Sequence, residues 1–226
     1  MDNRRTGSKQ EPVPSAGPLS RRGVALCLGI VLGFHACLLA WSGWRHTPVV
    51  PEGGHLAAGL SHLRLGRFDL FRVNPPLVRM VAAVPVSLAA SSTNWSRYDG
   101  NPLRRAWSPV GADFFYANGP RSFWLVTMAR WASIPFSLLG AYVCFRWASE
   151  LYGMPGGLLA LVLWCFSPYV LGHASLITAD AHAAALGLAA AYVYWLWLKE
   201  PSWSGSAVAG VVLGLAQLAK FTLLVF

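Results

Sequence analysis

The chain has 226 residues with a mean hydropathy of +0.45; 55% are hydrophobic and only 12% are charged. A soluble domain carries about 25% charged residues, so an ordinary globular enzyme in water is excluded. The net charge is +9, and all but three of the eighteen cations are Arg. With no polar domain to face a groove, the expected partners are membrane lipids or a phosphate-bearing substrate, and no nucleic acid.

Residues 1–22 are rich in Pro, Ser and Arg without periodicity, and read as a disordered basic cytoplasmic tail. Residues 23–44 form the first apolar run, long enough at 1.5 Å per residue to cross about 30 Å of hydrocarbon. A cleaved signal peptide fits poorly, because the leader is long, no small-x-small cleavage site follows and further spans come later. Five cations ahead of the run (Arg4, Arg5, Lys9, Arg21 and Arg22) place the N-terminus in the cytoplasm.

Residues 45–122 then form a large extracytoplasmic loop with nine Arg against four acids, a positive load that suggests an anion site. Within it, His55 to Gly66 and Leu77 to Ala90 have helical apolar spacing and read as juxtamembrane helices lying at the membrane surface. Trp95, Trp107, Phe114, Phe115, Tyr116 and Trp124 supply an interfacial aromatic belt. Further spans are expected at about 123–147, 156–178, 181–198 and 206–226, separated by hinges at 150–155 and 199–204. Gly29-x3-Gly33 and Gly210-x3-Gly214 put small residues on one helix face, which allows close packing. Cys27, Cys37, Cys144 and Cys165 lie inside apolar runs with no C-x-x-C pair, and read as small core hydrophobes. The fold class is thus all-α, a multi-pass inner (plasma) membrane protein with residues 23–226 as its transmembrane domain.

Ionisable residues at span ends are costly to bury and are the candidates for chemistry. Glu52 sits where a helix would start, with His55 on its face and His62 close by. A carboxylate there suits a general base, and the plain alternative is a helix-start acid. Asp180, between two spans, either caps the following helix or shares duties with Glu52. In the run from Gly66 to Arg79, Asn74-Pro-Pro makes a rigid turn flanked by Arg72 and Arg79, with Asp69 before it. Arg's planar fork suits phosphate oxygens, although a solvated charged loop would look similar. Lys220, deep in the last run, either snorkels or meets a lipid phosphate. Glu52, His55 and His62 are also the ligand types for a divalent metal such as zinc or manganese, but without an H-E-x-x-H spacing. No Walker or Rossmann glycine pattern occurs, so no nucleotide cofactor is expected.

In order, Glu52-Gly-Gly-His55, Asn74-Pro-Pro-Leu77, Ala129-Arg130, Ser167-Pro-Tyr169, Thr178-Ala-Asp180 and Gly214-Leu-Ala-Gln-Leu-Ala-Lys220 cover about residues 24–226. Their succession resembles the GT-C superfamily of polytopic glycosyltransferases, in its bacterial branch related to dolichyl-phosphate-mannose–protein mannosyltransferases and aminoarabinose transferases. The resemblance implies inverting transfer of a sugar from a polyprenyl-phosphate donor to a hydroxyl on a lipid, glycan or protein. It makes Glu52 the base and Asp180 a positioning carboxylate. Arg72, Arg79 and Lys220 are the physical choices for the donor phosphate, with His55, Asp69 and Asn74 in support. Pro51 stands where many members carry Asp, and the chain has about half a member's length, so it reads as an N-terminal portion. The rivals are a transporter or flippase of a lipid-linked anion, and a non-catalytic membrane protein.

Overall fold

The computed structural model describes residues 20–98, 101 and 106–225. Of the expected tail, residues 1–19 lie outside the described residues. The described chain is all-helical: α1 (Arg21–Arg45), α2 (Val50–Leu65), α3 (Leu77–Leu88), α4 (Trp107–Asn118), α5 (Arg121–Cys165), α6 (Pro168–Ala174), α7 (Asp180–Lys199), α8 (Trp203–Gln217) and a closing 3-10 turn (Phe221–Val225). No strand occurs among the described residues.

Helices α1, α5 and α7 are long and apolar enough to cross a membrane. Along α1, Leu26, Ile30 and Phe34 are each more than half exposed. Such a stripe on a long apolar helix has hydrocarbon as its natural solvent. Ser20 starts α1 by accepting a hydrogen bond from the Gly23 amide.

α5 is two helices joined at a reversal. Gly153 has φ +76° and ψ 176°, in the region that favours glycine, and the chain folds back there. Trp164 on the return limb donates from Nε1 to the Ser137 carbonyl on the outgoing limb, 3.1 Å away. His35 of α1 joins both limbs, with Nδ1 2.9 Å from the Cys165 carbonyl and Nε2 2.9 Å from Ser137 Oγ. A buried imidazole in an apolar bundle is thereby satisfied on both sides.

This arrangement has two poles. The C-terminal end of α1, the start of α5 and the start of α7 meet at the first. The Gly153 reversal and the α7–α8 connection form the second. Three expected features differ. The run 156–178 is broken, since the helix ends at Cys165 and restarts at Pro168 behind Ser167, which caps it through the Val170 amide. The run 206–226 is not one helix: α8 ends at Gln217 and only a short 3-10 turn follows at Phe221–Val225. α2 does not lie on a surface: residues 52–62 are all buried. Its Leu56 and Leu60 pack with Val86, Phe114, Leu125 and Val126, while Ala57 and Ala58 pack with Leu70, Phe71 and Val110.

The close approaches that glycine permits lie elsewhere than expected. At Gly29, Gly33, Gly210 and Gly214 an added Cβ would meet nothing within 4 Å, so neither lane makes the close helix approach expected of it. At Gly59 it would stand 2.3 Å from the Arg79 carbonyl, and at Gly111 2.7 Å from the Gly53 and Gly54 backbone. The glycines of α2 are what let α3 and α4 close around it.

Candidate functional site

The first pole is organised by one ion pair. Glu52, at the third position of α2, has no exposed surface, and Arg130 of α5 is 1% exposed. Arg130 donates from Nε to Glu52 Oε1 at 2.8 Å and from Nη2 to Oε2 at 2.5 Å. Its remaining donors reach the carbonyls of Gly43, His46 and Thr47 at 2.8, 2.7 and 3.2 Å. Glu52 also accepts from the Val49 amide at 2.9 Å and the Ile177 amide at 3.1 Å. All five guanidinium donors and both carboxylate oxygens are used, as a buried pair requires. The network ties the end of α1, the start of α2, the outgoing limb of α5 and the segment before α7.

Glu52 is therefore not placed as a general base would be: its carboxylate faces only protein donors. Physically it anchors the pole. In the sequence Arg130 has no role beyond its place in a motif, although a lone Arg inside an apolar run is itself a sign of function.

Asp180 is the accessible carboxylate. It lies in the first turn of α7, its side chain is 41% exposed, and Oδ1 accepts from Lys220 Nζ at 2.6 Å. It does not cap its helix; Ala179 takes that position. Lys220 thus belongs to this pole and is not left to snorkel into lipid.

Arg79 is 2% exposed and donates to the Phe71 and Pro75 carbonyls at 2.8 and 3.1 Å, its guanidinium 4.7 Å from the Phe71 ring centre. Among the described residues it has no carboxylate partner. Burial brings its pKa down to about 10, so it keeps its proton at neutral pH. The turn at Asn74-Pro75-Pro76 curls the chain so that Arg79 can reach back, and Leu77 donates to the Leu218 carbonyl beyond α8.

His55, 5% exposed, lies against Phe71 with ring centres 4.4 Å apart. Burial, aided by the Arg79 charge and opposed by Asp180, lowers its pKa to about 4. It is a neutral imidazole between a cation and an anion.

The other expected residues stand apart. Asp69 accepts from Arg67 at 2.9 Å and from the Tyr98 hydroxyl at 2.5 Å. Burial would raise its pKa, but these donors overcome it and hold the carboxyl below its usual value, while Tyr98 is pushed up to about 12 by burial and Asp69. Arg72 is exposed and acts on Tyr98, so it belongs with this second cluster. Asn74 is half-buried in the turn. His62 donates from Nδ1 to the Arg67 carbonyl at 2.7 Å and stacks on Phe68, with its other nitrogen buried and unpartnered. Glu52, His55 and His62 accordingly face different partners, and no group of three potential metal ligands converges among the described residues. The metal expectation has no site there.

No family model, curated protein or solved structure matches the chain.

Proposed function

We propose that the chain transfers a sugar from a polyprenyl-phosphate donor to a hydroxyl acceptor with inversion, at the first pole, on the extracytoplasmic side of a plasma membrane. The GT-C resemblance supplies the reaction class. The observation that carries the site is an accessible carboxylate (Asp180) paired with Lys220 at 2.6 Å, with His55 in the field of both that carboxylate and the buried, carboxylate-free Arg79.

In this reading Asp180 takes the base role expected of Glu52. Its carboxylate accepts the proton of the acceptor hydroxyl as that oxygen bonds to the sugar's anomeric carbon. The bond from that carbon to the phosphate oxygen breaks, and the electron pair leaves with the lipid phosphate. Lys220 stabilises the charge gathering there, and the buried Arg79 adds only its field. Lys220 is already within 2.6 Å of Asp180, so a phosphate that draws it away also frees the base. Glu52 and Arg130 act through position, holding the segment 177–180 against α2. The five cations before and at the start of α1 support a cytoplasmic N-terminus and hence the orientation.

The test is turnover of radiolabelled polyprenyl-phosphate sugar by purified protein. Asp180→Asn lowers transfer about a hundredfold to ten-thousandfold. Undiminished transfer in this variant overturns the assignment. An anion flippase is favoured by the Lys220–Asp180 pairing, which leaves no free base; it predicts lipid-anion translocation in vesicles that survives Asp180→Asn, with no transfer.

A further inference from the structure

The face that α2 turns to α3 is made of His55, Gly59 and His62, successive turns of one helix stripe. Gly59 is the notch: an added Cβ would stand 2.3 Å from the Arg79 carbonyl and 2.8 Å from Ala83 Cβ. α3 is therefore seated between the two imidazoles, and it brings the Arg79 guanidinium, 2% exposed, into the same seam. Both rings are 5% exposed, and both lie in the field of Arg79.

The counter-charges around this seam are already committed. Asp180 of α7, whose field reaches His55, is held by Lys220 at 2.6 Å. Asp69, whose field reaches His62, is held by Arg67 and Tyr98. On α2 itself Glu52 is taken by Arg130, and on α4 Asp113 is taken by Arg97. Among the described residues the seam thus holds one cation and no spare carboxylate. His62 adds a second constraint. Its Nδ1 carries the proton given to the Arg67 carbonyl, so an incoming proton goes to Nε2, which is buried without a partner. A charged N–H there is desolvated and unpaired, beside a like charge. Burial holds both imidazoles neutral, and Arg79 acts in the same direction. Once α3 parts from α2 the rings reach water and accept the proton without that cost.

The seam is tied to the first pole. Leu77, the first residue of α3, donates to the Leu218 carbonyl at 3.1 Å, and Lys220 two residues further on holds Asp180. We propose that the α2–α3 seam is an acid-operated gate on that pole: proton uptake at His55 and His62 parts the two helices and slackens the Lys220–Asp180 pair. With the pole on the extracytoplasmic side, as proposed above, the gate reads the pH of the outside medium. The gate itself stands without the sugar-transfer reading, and its test needs no substrate.

The experiment is hydrogen–deuterium exchange with mass spectrometry on the purified full chain in detergent, corrected for the intrinsic pH dependence of exchange. With His55 near 4 in the closed seam and 6.5 when open, the open population at pH 5 rises about thirtyfold over pH 8. Peptides from residues 52–62 and 77–88 should show that rise and reverse it on return to pH 8, while the outgoing limb of α5 stays protected. His55→Gln combined with His62→Gln should leave a rise of less than about threefold. Asp69→Asn should keep the acid step.

Exchange in α2 and α3 that does not rise between pH 8 and pH 5 in the unaltered chain overturns the proposal whether or not any variant folds. So does an equal rise in α5, which is general unfolding. An undiminished step in the double variant removes the histidines as its cause, and a seam already open at pH 8 in Asp69→Asn moves the cause to that carboxylate; either result also overturns it.

Discussion

Each pole of the bundle holds a carboxylate against an arginine, and the two pairs are built to opposite specifications. Glu150 and Arg146, one turn apart on α5, meet at 3.3 Å with side chains 27% and 48% exposed; Lys199 stands 4.0 Å away and the Tyr192 hydroxyl donates at 2.6 Å. Glu52 and Arg130 are 78 positions apart, with side chains 0% and 2% exposed. The local pair trades water for little and is screened by it. The remote pair has given up its hydration, and only a complete set of hydrogen bonds repays that loss. One decorates a helix, whereas the other decides which helices come together.

That contrast is open to measurement. Glu52→Gln leaves Arg130 buried without its counter-charge, so it costs about 3–5 kcal/mol; a thermal unfolding shift in detergent no larger than that of a surface variant would erase the distinction. Acid sharpens it next. His55 has a folded pKa near 4 against 6.5 when unfolded, so the unfolded state binds the extra proton between those values. Stability is fully present above pH 6.5 and is lost as pH falls toward 4. Melting at stepped pH should show this slope, and His55→Gln should make it shallower. Arg146→Ala at the second pole is the smallest effect, about 0–1 kcal/mol and fading with salt.

Much of the first architecture was legible because it is written locally. The apolar runs at 23–44, 123–147 and 181–198 correspond to α1, the outgoing limb of α5 and α7, and Leu77 does open a helix. The break at Ser167-Pro168 was also visible as a helix-start signal, but the length of the apolar run overrode it. α4 is not legible in the sequence because its aromatics suit a membrane interface as well as a core; Phe114 is wholly buried. What could not be read was pairing at a distance. Nothing near Glu52 announces Arg130 or the Ile177 amide, and nothing near Lys220 announces Asp180. The early end of α8 has the same origin, since Leu218 gives its carbonyl to Leu77 instead of to a continuing helix.

The reach of Arg130 also orders the protein's birth. The carbonyls of Gly43, His46 and Thr47 emerge from the ribosome some 83 to 87 residues before the side chain that clasps them, and the Ile177 amide arrives 47 residues later still. At about 5–20 residues per second, translation leaves the leading helix unlatched for several seconds. During that interval α1, apolar enough to cross a membrane, has no Arg130 to hold its end, and that latch is complete only when the seventh helix is about to be made.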